Sequence, residues 1–341
     1  MPHKLLLLVI ILISFECKRQ VCNNNIKEYF APKESGLQNG NVKEIVIKSY
    51  DHEFKVWTKT IGNNPSTRIL LLSGGPGCSH EYFECCESFL PAEGIEFIYY
   101  DQLGTGYSDN PKDTVYWNLE RYVEEVEQVR KALKLDHTNF YLLGHSWGGI
   151  LAMEYASKYQ SNLKALIISD MMASCPKYGQ YAKEVLAKKL DPKILDSIKS
   201  IESRKDFSNP KYMELLMPNF YNQFICRIPL KDWPEPMKRS FDKINNSLYV
   251  TMQGPSEFGI GGNLIHWDRS EDLKNYNIPT LIIGAHYDTM DPLYMEWMSK
   301  QIKRSNFLLC KNGSHMCMWD DQEAYFGGLI QFIKTVESKK I

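Results

Sequence analysis

The 341-residue sequence carries almost no net charge: 40 Lys and Arg stand against 41 Asp and Glu, a formal −1 at pH 7. That balance excludes the broad basic surface a nucleic acid or an anionic membrane would need. No C-x-x-C pair is present, which excludes the usual cysteine-based zinc site. The one notable uncharged apolar run, Leu5 to Ile13, falls far short of the ~20 residues of a membrane-spanning helix. Internal repeats and low-complexity tracts are lacking, so neither a repeat array nor a disordered linker is expected.

What is there reads as a large globular fold, with 43 % apolar and 24 % charged residues. Charged runs such as Glu124-Glu125 and Lys188-Lys189 are expected on solvated helix faces. Met1-Pro-His-Lys4 followed by the apolar run has the layout of a signal peptide spanning 1–17, cut between Ser14 and Cys17. Secretion, or delivery to an endomembrane lumen, is the resulting expectation; a membrane anchor made of the uncleaved leader is the alternative. Of nine cysteines, loss of Cys17 would leave eight, which fits an oxidising compartment. Of two sequons, Asn245-Asn-Ser247 is expected to carry a glycan and Asn312-Gly-Ser314 to be bare.

The chain turns on one stretch. Phe140 to Leu143 is a strand-like run, Gly144-His-Ser-Trp-Gly148 matches G-x-S-x-G, and Ile150 to Tyr159 continues at helical spacing. A serine on so sharp a strand-to-helix turn has its Oγ pushed out of the sheet. The following amide, Trp147 N–H, points to the same spot and can stabilise an oxyanion. Around this elbow, Glu44–Lys48 and Phe54–Thr60 read as a hairpin. Ile69–Leu72, Phe97–Tyr100, Leu163–Ser169, Pro279–Gly284 and Phe307–Leu309 read as further strands, alternating with helical segments such as Trp117–Leu133, Leu293–Ile302 and Asp321–Glu337. That rhythm implies an α/β fold, a mostly parallel central sheet flanked by helices.

Between residues 173 and 262 the strand signals vanish. Tyr178–Lys189, Pro192–Glu202, Lys211–Phe224 and Glu235–Asn246 read as helices. The predicted organisation is a core of 18–172 and 263–341, with an all-helical cap of 173–262 inserted over the carboxyl ends of the strands, where ligands bind in open α/β sheets.

A serine hydroxyl needs a base, and the base needs an orienting acid. In the α/β-hydrolase fold they follow the serine in the order acid, then histidine, at strand ends. Asp288 follows the strand ending at Gly284, and His315 follows the strand ending at Leu309. The expected triad is Ser146, Asp288 and His315. Asp291 is the rival acid, otherwise the cap of the helix starting at Pro292; His286 is the rival histidine. Gly75, in Ser73-Gly-Gly-Pro-Gly77, is expected to supply the second oxyanion N–H beside Trp147. His145 is expected to shape the elbow without taking a proton. No metal or organic cofactor is called for.

Five segments in order, Ser73-Gly-Gly-Pro-Gly77, Asp101-Gln-x-Gly-x-Gly-x-Ser108, Gly144-x-Ser-x-Gly-Gly149, Gln253-Gly-Pro-Ser-Glu-Phe258 and Gly313-Ser-His315-Met-x-Met-Trp-Asp320, resemble the successive motifs of the proline iminopeptidase family. These are α/β-hydrolase serine aminopeptidases, and the resemblance runs from about Tyr50 to the C-terminus. It implies release of an N-terminal proline or another small apolar residue from short peptides or aminoacyl amides with a free N-terminus. Glu257 is then similar to the family's amine-binding glutamate, since a carboxylate in a partly dry pocket suits an α-ammonium. Asp232 is the candidate for the second acid that the family draws from its cap. Phe83, Tyr107, Trp147, Phe220 and Tyr221 are candidates to line an apolar slot. Ser73 stands where the family usually has His, so substrate range and rate are expected to differ. An esterase or amidase of the same fold is the alternative; a non-catalytic binding protein on this scaffold would be expected to have a broken triad.

Overall fold

The computed structural model describes residues 39–338 other than residue 259; the expected leader, Cys17 and Cys22 lie outside the described residues. The two alternating runs pair as an antiparallel hairpin, β1 (Val42–Ser49) and β2 (His52–Ile61). There follow β3 (Arg68–Leu72), β4 (Glu96–Asp101), helix α1 (Leu119–Ala132), β5 (Phe140–His145), α2 (Trp147–Tyr159) and β6 (Ala165–Ser169). The sheet order is β1-β2-β4-β3-β5-β6, completed by β7 (Thr280–Ala285) and β8 (Ser305–Cys310). Only β1–β2 and β2–β4 are antiparallel.

Every residue of β5, β6 and β7 is buried, because helices cover both faces. The period of two divides their side chains between two cores: Leu70, Leu142, Ile168 and Ile282 on one face, Ile69, Leu143, Ile167 and Ile283 on the other. Helix α1 begins where the Asn118 side chain accepts the Arg121 amide, and it ends in Arg130 and Lys131, which suit the negative helix end.

Between β6 and β7 lie α3 (Cys175–Tyr181), α4 (Pro192–Ser203), α5 (Pro210–Leu216), α6 (Glu235–Asp242) and α7 (Asn246–Met252), with a small core of their own around Leu186, Leu216 and Phe220. Three predicted helices are broken. The one over 178–189 widens into a π turn at Ala182–Leu186. The one over 211–224 does so at Met217–Tyr221, where Pro218 removes an N–H and crowds the carbonyl four residues earlier. The one over 235–246 stops at Asp242, because the Asn245 amide bonds the Gly77 carbonyl of the core at 3.1 Å. Asn245 then caps α7, accepting Leu248 N–H at 3.2 Å.

The Asn245 side-chain nitrogen donates to Gly104 O at 2.9 Å and Asn110 Oδ1 at 3.0 Å, so the atom a glycan would require is already engaged. The 3₁₀ run His80–Ser88 had no periodic signal and was missed by the sequence pattern; it places Tyr82 and Phe83 under the elbow. The seven described cysteines are all free and buried. The chain closes with α8 (Pro292–Gln301) between β7 and β8, and α9 (Gln322–Glu337).

Candidate active site

At the β5–α2 turn Ser146 has φ 56° and ψ −127°, a conformation that side chains rarely adopt and that is held here by tertiary packing. Its amide donates to Ser169 O at 3.0 Å, and its carbonyl accepts Gly149 N–H at 2.7 Å. The flanking glycines are demanded by close approach. A Cβ on Gly144 would lie 2.0 Å from the Gly148 carbonyl oxygen, and one on Gly148 would lie 2.1 Å from the Leu72 carbonyl oxygen. Both obstacles are backbone atoms that cannot swing aside. Gly148→Ala is therefore expected to destabilise the fold by about 3 kcal/mol or more, read as a lowered denaturant midpoint.

His315 follows β8 and is tied to the cap: its amide donates to Phe224 O at 3.0 Å, and the next amide donates to Ile225 O at 2.8 Å. Its Nδ1 lies 2.7 Å from Asp288 Oδ1, which also accepts Met290 N–H at 3.1 Å and the Thr289 hydroxyl at 3.2 Å. Burial works against an imidazolium here. The carboxylates of Asp288 and Glu257 outweigh it and hold His315 above the ordinary histidine value. Asp291, the rival acid, caps α8 by accepting Leu293 N–H at 2.9 Å, and His286 is exposed.

One polar chain runs through the site. Gly74 N–H donates to the Tyr82 phenol oxygen at 2.6 Å, Tyr82 O–H lies 3.1 Å from His145 Nδ1, and His145 Nε2 lies 2.8 Å from the His315 carbonyl oxygen. Burial and the charge of His315 push His145 down to about 3, so it is neutral. A neutral ring fits only one way: Nε2–H donates to the carbonyl and Nδ1 accepts from the phenol. A second tie was not foreseen from the sequence, although Gln102 lies within a quoted motif. Gln102 Nε2 donates to Ser73 O at 2.9 Å, and Gln102 Oε1 accepts Trp147 Nε1–H at 2.9 Å. It thereby joins the loop after β3 to the elbow, the two segments that carry Gly75 and Trp147. Ser73 Oγ donates to Cys78 O at 2.9 Å and serves that loop internally.

Ser146, His315, Gly75 and Glu257 all line one cavity of about 430 Å³ beneath the cap. Glu257 is half-buried: protein surrounds its carboxylate, and its accessible face is the cavity side. Tyr249 O–H donates to its Oε1 at 2.6 Å, Tyr178 O–H donates to its backbone carbonyl at 2.5 Å, and its own amide donates to Tyr221 at 3.3 Å. Burial raises its carboxyl above the usual range, while His315 and the phenols of Tyr249 and Tyr178 oppose that shift.

Asp232 is not brought to the cavity. It is exposed on the turn Leu230–Asp232, because its neighbour Trp233 turns inward and anchors its indole N–H on Ile228 O at 2.9 Å. The cap acid that lines the cavity besides Glu257 is Asp242, exposed at its mouth. Of the five aromatics proposed for the slot only Tyr221 lines it. Trp147 packs inward against Tyr122, and Tyr107 is exposed. Tyr249, Trp233 and Phe241 take those places.

Residues 67–193 match the family model of the alpha/beta hydrolase fold. The chain is 56 % identical over 297 residues to a proline iminopeptidase of Flavobacterium johnsoniae, covering 87 % of this chain and 99 % of the relative. It belongs to the proline iminopeptidase family. The likeness extends to a proline iminopeptidase of Saccharolobus solfataricus, 39 % identical over 271 residues, 79 % of this chain and 86 % of the relative. The crystal structure of a proline iminopeptidase from Mycobacterium smegmatis superposes with a TM-score of 0.76 at 23 % identity, covering 88 % of this chain and all of that one, and shares the fold.

Proposed function

We propose that the protein is a serine aminopeptidase that removes an N-terminal proline, or another small apolar residue, from short peptides and aminoacyl amides. The observation that carries this reading is Glu257, an anion walled in by phenols and presented to the cavity that holds Ser146 and His315. An ester of a simple acid has no group to neutralise it, which disfavours the esterase alternative.

In the proposed reaction the α-ammonium sits on Glu257 and the first carbonyl carbon meets Ser146 Oγ. His315 Nε2 takes the serine proton as the C–O bond forms. The N–H groups of Gly75 and Trp147 hold the resulting oxyanion. The C–N bond then breaks as His315 returns the proton to the leaving nitrogen. Water, deprotonated by the same His315, attacks the acyl-enzyme, and Ser146 leaves with the proton. Asp288 keeps the imidazole in its reacting tautomer. The test is a panel of aminoacyl-naphthylamides against matched p-nitrophenyl esters. Prolyl-naphthylamide as the preferred substrate supports the proposal, and a preference for esters lacking an amine would overturn it.

The base must be neutral, and the carboxylates of Asp288 and Glu257 hold its pKa above that of an ordinary histidine, about 6.5. The acid limb of kcat/KM is therefore expected to have its midpoint above pH 6.5, with activity lost as pH falls through it. A pH profile on prolyl-naphthylamide checks this; a midpoint near 5 would assign the limb to another group. Expression of the full chain in a eukaryotic secretory host tests the leader: the proposal of a secreted or lumenal enzyme expects mature protein whose first residue lies between 15 and 18, and secretion with the leader retained would favour the membrane anchor.

A further inference from the structure

A second carboxyl group, which the proposed reaction leaves unused, lies against the triad acid. Asp170 directly follows β6 and Asp288 follows β7, the strand beside it; Asp170 N–H donates to Ile283 O at 2.8 Å. Both side chains are fully buried, and after burial itself the Asp288 carboxylate is the strongest influence on the Asp170 carboxyl. Asp288 Oδ1 accepts from His315 Nδ1, the Met290 amide and Thr289 Oγ1. Asp288 Oδ2 is buried and receives none. An acceptor on an ionised carboxylate would not stay so without a donor, at a cost of about 1–3 kcal/mol or more.

The groups facing Asp170 come from every neighbouring element. Ser169 Oγ donates to it at 2.7 Å, and Cys317 Sγ lies at 3.3 Å, following His315. Cys310 ends β8, Tyr325 of α9 bonds Ser169 at 3.3 Å, and Asp288 completes the shell. None of these is Lys or Arg, so two adjacent negative charges have nothing to hold them. Asp288 has the imidazole N–H of His315 and a backbone donor; Asp170 has a hydroxyl and a thiol. The single proton therefore belongs to Asp170. Burial, then the charge of Asp288, raises the Asp170 carboxyl well above the usual range, in agreement with this placement. The backbone is committed to the arrangement too: Asp170 has φ 51°, the left-handed region that Asp and Asn tolerate better than most residues.

We propose that Asp170 is a positioning residue: a neutral carboxylic acid that donates its O–H to Asp288 Oδ2 and so fixes the plane in which Asp288 Oδ1 meets His315. The proposal rests on Asp288 acting as the orienting acid, and Asp288→Asn tests that separately, with an expected loss of about ten-thousandfold in kcat. Asp170→Gly relaxes the backbone and removes the donor. It is expected to lower kcat by about ten- to a hundredfold with KM little changed. Asp170→Asn keeps a neutral donor and the left-handed backbone, so it should recover most of that loss and leave the acid limb of kcat/KM where it is in the wild type.

An infrared spectrum at neutral pH supplies a readout independent of how the glycine variant folds. The wild type is expected to show a protonated-carboxyl C=O stretch that Asp170→Asn abolishes. Three results would overturn the proposal: no such band, an acid limb displaced by about one pH unit in Asp170→Asn, which would reveal a charge at 170, or wild-type kcat in a folded Asp170→Gly. Loss of activity in Asp288→Asn together with any of these condemns the role of Asp170 alone. Full activity in Asp288→Asn condemns the triad reading itself.

Discussion

Replacing Ser146 by alanine is expected to lower kcat on prolyl-naphthylamide by about a millionfold, with KM within a few-fold of wild type. The size follows from what survives. The Gly75 and Trp147 amides, the Glu257 anion and the cavity walls remain, so substrate still binds. What disappears is the atom that forms the covalent bond, and no other side chain at the elbow can replace it. His145 is beside it in sequence but is neutral and engaged at both ring nitrogens. Labelling by a serine-directed fluorophosphonate should vanish in step. Activity within tenfold of wild type in a preparation free of host peptidase would remove Ser146 from the chemistry.

The second large effect is expected at Glu257. Glutamine keeps an acceptor for Tyr249 O–H, so the fold around it is retained. The substrate ammonium, however, loses its counter-ion in a desolvated setting, worth about 2–4 kcal/mol, or roughly 30- to 1000-fold in kcat/KM. The loss should be confined to substrates with a free N-terminus; a p-nitrophenyl ester without an amine should be hydrolysed as well as before. Because the Glu257 charge also helps hold the His315 pKa up, the acid limb of kcat/KM should move to lower pH in Glu257→Gln. An equal loss on both substrate types would mean that Glu257 supports the site without touching the amine.

Much of the frame was legible because it is written in local patterns. The alternation in Glu44–Lys48 and Phe54–Thr60 gave the hairpin, and the apolar runs gave β3 through β8 to within a few residues. Chain order and strand ends made Ser146, Asp288 and His315 the candidates, and the structure puts Ser146 and His315 on one cavity with Asp288 2.7 Å from His315. The helices of the cap were legible only as a block. Pro218 and the Asn245–Gly77 bond break them, and the second of these is a contact between distant parts of the chain.

The sequence by itself determined the α/β sheet, the sharp strand-to-helix turn at Ser146 and the cap of α8 at Asp291, because periodicity, glycine spacing and capping are settled among near neighbours in the chain. Tertiary structure alone decided that Asp232 stays away from the cavity that Glu257 lines, that Trp147 turns into the core, and that Asp170 is buried beside Asp288. Each of those outcomes depends on which way a side chain leaves its turn once two remote segments have packed. Packing responds to shape and burial across the whole molecule, and a short window of residues carries no record of it.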